Sequence, residues 1–243
     1  MSRSPMGIVS KPQVPVTFGR VSTRAEFVAL LRRLEDQFRT DARRPLLHIE
    51  AHGADDGIGN SEADGMSWTE LADELVGFSR LTRLNLVVVL AACHGAWGMK
   101  MLHPDRRAAA FRGLIGPDQD MDDFEVLDAS LAFYRGIFRR GDGNIAFTAM
   151  NEAFAHGKRF HMWSAEIAFE IVYRHYLATR CSPEDVGKRS AAIAARVAAR
   201  VKRARGLGRF KWEIERDTKA AGAWLGDHEA RFAELRRDFF FIN

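Results

Sequence analysis

The hydrophobic positions of the chain form two kinds of pattern. Between Phe27 and Phe38 they are spaced by three and four residues, which predicts an amphipathic helix. The preceding segment 23–26, Thr-Arg-Ala-Glu, has the pattern of a helix-capping box. The run 86–92 is instead apolar at every position, as is typical of a strand buried in a sheet, and the short segment 46–51 is a second strand candidate.

A second capping box, Ser-Trp-Thr-Glu at 67–70, begins a predicted helix between these two strands. A weaker strand is predicted at 111–115. Connections of this length are too long for hairpins, so the pattern indicates an α/β fold with a mostly parallel sheet covered by helices. The glycine- and acid-rich segment 53–65 is predicted to be a loop.

The two ends of the chain have different patterns. Residues 1–20 contain three prolines and predict an irregular arm, and residues from 123 onward predict mostly helix. Ser182, followed by proline and two acids, is a strong start for a helix that ends near Arg205.

Composition excludes several classes of protein. With 47% hydrophobic residues and 17 Phe among 243 residues, the chain can bury a sizeable core and is not intrinsically disordered. No apolar run approaches the roughly 18 residues of a membrane span, and no signal peptide is found, so we expect a cytoplasmic protein. The net charge of +4 permits an anionic partner without requiring one.

Two cysteines, Cys93 and Cys181, exclude a disulfide framework and an all-cysteine zinc site. The histidines at 156, 161 and 175 lack the spacing of a helical zinc site, so no metal or other cofactor is predicted. Cys181 directly precedes a helix cap and is expected to be inert.

Reactive residues end both predicted strands: His52-Gly53 follows the first, and Cys93-His94-Gly95 follows the second. The carboxyl ends of parallel strands border one crevice, so these residues should meet there. A thiolate is a good nucleophile, and an imidazole can keep it ionised and later protonate a leaving amine. The structural alternative is that Cys93 is a small core residue. We expect His94 to point to the opposite face, where it packs or contacts substrate.

These segments resemble the caspase-like cysteine peptidases, which include caspases, metacaspases, separases and the bacterial CHAT-type proteases. The matching stretches are 46–53 and 86–95, and segments 116–118 and 131–134 are also similar to the CHAT and short bacterial pattern. The resemblance covers about residues 20–155. It implies a caspase-like α/β/α sandwich as a peptidase core at 1–155, followed by a helical extension at 156–243 packed on or beside it.

Transferred residue by residue, the resemblance implies that Cys93 is the nucleophile and His52 the general acid/base. It also implies that the backbone N–H groups of Gly53 and Cys93 form the oxyanion hole. The caspase signature has Gln two places before the cysteine, where this chain has Ala91. Its histidine also precedes the cysteine by about 50 residues, which is more than the separation here. Both departures point to the compact bacterial branch.

Acidic residues follow the third predicted strand. In CHAT-type and separase-like relatives an acid in this region accepts a basic P1 side chain, and Asp122 or Asp123 best matches it here, with Asp118 as a third candidate. Such a carboxylate would bind Arg or Lys by a charge-assisted hydrogen bond. The alternative is that these acids cap the helix that starts near 123.

The predicted helix over 186–205 contains seven cations and no acid. Its arginines 189, 196, 200 and 203 form one stripe, and Val186, Ile193, Val197 and Val201 form an adjacent apolar stripe that we expect to pack inward. Nucleic acid, another anionic surface or an acidic protein could bind the arginines, although no nucleic-acid-binding motif is present.

Two functions therefore remain. The first is a cysteine endopeptidase acting on a protein or peptide substrate, which the resemblance suggests is one dedicated partner. The alternative is a non-catalytic caspase-like scaffold, or a protein that binds an anionic partner through helix 186–205.

Overall fold

The computed structural model describes residues 14–39, 45–61, 64–102, 108–154, 160–205, 216, 218–220, 222, 223 and 227–240. The strands are β1 (Leu46–Glu50), β2 (His52–Ala54), β3 (Gly57–Gly59), β4 (Met66–Ser67), β5 (Val87–Ala91), β6 (Gly113–Pro117) and β7 (Phe160–Ser164). The α-helices are α1 (Arg24–Phe38), α2 (Trp68–Leu81), α3 (Asp123–Arg140), α4 (Gly143–Glu152), α5 (Ala165–Arg180), α6 (Pro183–Arg205) and α7 (His228–Phe240), and a 3₁₀ helix spans Gly95–Leu102.

The central sheet has four strands in the order β1-β5-β6-β7. The first three are parallel, and β7 runs antiparallel to β6. The prediction of an α/β fold with a mostly parallel sheet is therefore confirmed. A second, small antiparallel sheet is formed by β2, β3 and β4.

Helices cover both faces of the central sheet because β5 is apolar at every position. Val88 and Leu90 pack into one core with α1 and α2, whereas Val89 packs into the other with α3 and α4. This alternation follows from the two-residue period of a strand. Both predicted capping boxes are present, at the start of α1 and of α2.

Two predictions of local structure are wrong. Segment 53–65 was predicted to be a loop, but it contributes two of the strands of the small sheet. These strands have only two or three residues, too few to show a hydrophobic period. Residues 160–164 were predicted to be helical, but they form β7, which extends the sheet beyond residue 155, where the sequence places the end of the core.

Helix α6 has the predicted bounds, but it packs differently from the prediction. Among the side chains of α6 that the structure describes, Ile193 and Val197 are exposed, and Ser190 and Ala194 are buried. Small side chains allow a close approach: a Cβ added to Gly222 would lie 3.5 Å from the Ser190 hydroxyl oxygen. The apolar stripe is therefore not the packed face at these two positions.

Some of the residues named in the sequence analysis lie outside the part of the chain that the structure describes. The proline-containing arm is described only from residue 14, and residues 14–21 form neither helix nor strand. His156 and the side chains of Arg200, Val201 and Arg203 lie outside the described part. Within that part, no helix combines the length and the apolar composition needed to cross a membrane.

Candidate active site

The two residues of the predicted dyad follow neighbouring strands at one edge of the sheet. Strands β1 and β5 pair in parallel register up to Glu50 and Ala91. His52 begins β2 with an exposed side chain, and Cys93 lies half-buried in the turn after β5. Parallel pairing therefore brings both segments to the same edge, as the sequence predicts.

The backbones of these segments are in close contact. A Cβ added to Gly53 would lie only 1.8 Å from the Cys93 carbonyl oxygen and 3.1 Å from the Ala92 Cβ. No side chain can occupy that space, so glycine is required at position 53. The residue after His52 is thus packed directly against the residue predicted to be the nucleophile.

The sulfur of Cys93 faces the loop that leads into α3. The backbone N–H of Met121 donates to Sγ at 3.5 Å, and the Met121 carbonyl oxygen lies 3.7 Å from Sγ. Both contacts come from one residue, which directly precedes the helix cap. The position of the thiol is therefore tied to the start of α3.

His94 is the unexpected residue of this edge. Its φ of 56° lies in the left-handed region, which is uncommon for a residue other than glycine. Its ring is half-buried, with Nδ1 3.2 Å from Asp55 Oδ1 and Nε2 3.2 Å from Asp120 Oδ1. A protonated His94 would therefore join the β2–β3 turn to the loop after β6. The sequence carries no signal for this bridge, because it depends on two distant loops.

The 3₁₀ helix Gly95–Leu102 forms another wall of the edge. The Lys100 ammonium donates to the Asp55 carbonyl oxygen at 2.6 Å and lies 4.6 Å from the centre of the Trp97 ring. A Cβ added to Gly116 would lie 2.5 Å from the Gly95 carbonyl carbon, so only glycine lets this helix start over the end of β6.

The three candidate pocket acids have different environments. Asp118 Oδ2 lies 2.8 Å from Nε2 of His161, which β7 brings to this edge. Asp122 caps α3, because its Oδ1 accepts the backbone N–H of Glu125 at 3.0 Å. Asp123 is exposed on the first turn and makes no hydrogen bond or ion pair with any other described residue. The capping alternative thus describes Asp122, and Asp123 is free to bind a ligand.

A half-buried polar pair lies beside this edge, between β1 and α3. His48 Nδ1 is hydrogen-bonded to the Tyr134 hydroxyl at 2.6 Å, and its Nε2 lies 3.3 Å from Glu50 Oε1. Burial lowers the pKa of His48, an effect that Glu50 partly opposes. Burial likewise raises the pKa of the Tyr134 hydroxyl.

We expect His48 to make the stability of the fold depend on pH. Because its pKa is lowered in the folded state, the unfolded chain binds the proton first as the pH falls through about 6.5. Its contribution to stability is therefore complete above that pH and is lost on acidification towards the folded-state pKa. In melting experiments across this range, His48→Gln should flatten the dependence of Tm on pH. Tyr134→Phe, which keeps the imidazole, should retain it; equal slopes for wild type and His48→Gln would contradict the assignment.

The chain was compared with protein-family models, curated proteins and solved structures. It matches none of them. Among the described residues, no three His, Cys, Asp or Glu side chains are grouped so that they could hold a metal ion.

Proposed function

We propose that the chain is a cysteine endopeptidase in which Cys93 is the nucleophile and His52 the general acid/base. The observation that carries this proposal is the backbone contact between Gly53 and Cys93, which holds the two segments together where their strands end. Neither a histidine nor a cysteine is needed for packing at the ends of these strands, whereas thiol hydrolysis needs both a nucleophile and a proton donor.

The reaction would proceed in two steps. The Cys93 thiolate attacks the scissile carbonyl carbon, and the imidazolium of His52 gives its proton to the departing amine as the C–N bond breaks. Neutral His52 then takes a proton from water, which attacks the thioester and releases the carboxylic acid and the thiolate. The backbone N–H groups of Gly53 and Cys93 would stabilise the oxyanion in both steps.

We infer a preference for a basic P1 residue from three acids of the segment that follows β6, Asp118, Asp120 and Asp123. Among the described residues, Asp123 has no partner, and Asp118 and Asp120 pair only with histidines. Neutral histidines would leave these carboxylates available to attract Arg or Lys. In a peptide library, cleavage after Asp instead of after Arg or Lys would contradict this preference. We further propose that the substrate is one dedicated protein in the cytoplasm.

The proposal is tested with a thiol-reactive peptidyl probe that carries arginine at P1. We expect the wild type to be labelled, Cys93→Ala not to be labelled, and His52→Ala to be labelled more slowly. Cys181→Ala is the matched control, since it removes the other thiol and should leave labelling unchanged. Labelling that persists in Cys93→Ala would disprove the role of this thiol.

The alternative of an anionic partner on α6 receives less support from the structure. Arg189, the first arginine of its stripe, donates to the Tyr176 hydroxyl at 2.6 Å and to the Asp185 carbonyl oxygen at 3.3 Å. Lys188 pairs with Glu184 at 2.6 Å. These two cations are engaged within the chain, and a scaffold function would rest on the remainder of the helix.

A further inference from the structure

Helix α3 carries a row of large apolar side chains on its outer face, apart from the face that packs on the sheet. We call this row the outer stripe; its members are Phe124, Leu127, Leu131 and Phe138. Their spacings of three, four and seven residues keep them on one side of the helix, as in the seam of a helix pair. Phe124 is 80% exposed and Phe138 58% exposed, whereas Ala129 and Phe133 on the inner face are buried.

Charged side chains flank the outer stripe in two groups. Asp123 and Asp128 lie in the half of α3 near its start, and Arg135 and Arg139 lie in the other half. All four are exposed and make no ion pair or hydrogen bond with another described residue. The helix dipole favours an acid in the first turn and a cation in the last turn, but its effect fades beyond those turns. The helix dipole therefore does not account for the positions of Asp128 and Arg135.

The sequence of α3 is self-complementary about Leu131. Phe124 and Phe138 are equally far from Leu131. Asp128 and Arg135 lie on the same side of the outer stripe, and their distances from Leu131 differ by a single position. Two such helices packed antiparallel about a two-fold axis would therefore place Phe124 beside Phe138 and Asp128 beside Arg135. A second copy of the chain therefore already carries the apolar and charged side chains that complement α3, whereas an unrelated partner would have to present the same arrangement.

We propose that the outer stripe is a homodimer interface, in which two copies pack α3 against α3 about a two-fold axis near Leu131. The contact is isologous, so each charge pair occurs twice and the association closes at two copies. Burial of the stripe removes apolar surface from water and drives the association. The charge pairs fix the antiparallel direction. This inference is independent of the peptidase proposal.

The test measures the oligomeric state of the full chain by sedimentation over a range of concentrations. We expect the wild type to dimerise and Leu131→Lys to be monomeric. Asp128→Arg and Arg135→Asp each place like charges together twice, so each should weaken the dimer by about tenfold. The double variant Asp128→Arg/Arg135→Asp should restore the dimer, because it reverses both members of each pair.

Glu152→Arg is the control, since it makes the same change of charge on the exposed end of α4, outside the outer stripe. It should leave the dimer unchanged. Circular dichroism and melting of each variant establish that it is folded. A monomeric wild type, or a dimer that tolerates Leu131→Lys, would overturn the proposal, as would a folded double variant that fails to recover dimerisation. The proposal would also be overturned if the chain were monomeric and its outer stripe bound a different protein or a membrane.

Discussion

Peptide hydrolysis should slow by about 10²- to 10⁴-fold when His52 is replaced by alanine, the range expected for loss of a positioned general acid/base. The variant retains the Cys93 thiol, but it loses the imidazole that we propose protonates the leaving amine and activates water. We expect the reduction mainly in kcat, because proton transfer belongs to the transition state. The measurement is steady-state hydrolysis of a fluorogenic peptide with arginine at P1.

The matched control for this variant is His175→Ala, which removes an exposed imidazole from α5, away from the edge that carries Cys93. It should leave hydrolysis unchanged. If His52→Ala hydrolyses the peptide as fast as the wild type, His52 is not the general acid/base. A loss of the same size in His175→Ala would show that the assay reports a general disturbance of the fold.

Replacing Gly53 by alanine should destabilise the fold by about 3 kcal/mol, at the upper end of the usual cost of overpacking. The added Cβ would lie 1.8 Å from the Cys93 carbonyl oxygen, and a backbone atom cannot rotate away as a side chain can. For a chain of this size the expected decrease in Tm is about 6–12 °C. Peptide hydrolysis should also be lost, because β2 would be displaced from the turn that contains Cys93.

Gly187→Ala is the control for the effect of a methyl group itself. An added Cβ at Gly187 meets nothing within 4 Å, and alanine is the better helix former, so this variant should be more stable by about 0.5–1 kcal/mol. The two variants can be compared by thermal melting. A Gly53→Ala protein as stable as the wild type would show that the close contact with Cys93 is absent in solution.

The sequence was most informative where one hydrophobic pattern decides the structure. Strand β5 was predictable because seven consecutive apolar residues suit a strand covered on both faces, and α2 because its capping box marks its first turn. From the ends of β1 and β5, the meeting of Gly53 with Cys93 could then be inferred, since parallel neighbours end at one edge. These features depend on local pattern and on a general rule of sheet topology.

The remainder of the site depends on contacts between distant segments, which local pattern does not specify. Strand β7 has mixed polar and aromatic residues and owes its conformation to pairing with β6, so it was predicted as helix. With it, the partner of Asp118, His161, was also missed. The bridge from His94 to Asp55 and Asp120 likewise requires three separate loops to be folded.

The glycines at 53 and 116 have a consequence for the recognition of distant relatives. Each faces a backbone atom of the segment that follows β5, with a space that admits no side chain. A divergent chain could keep a histidine and a cysteine at the corresponding strand ends and still be unable to bring them together, if either glycine had been replaced. The glycines should therefore be better markers of common ancestry for this arrangement than the two reactive residues are.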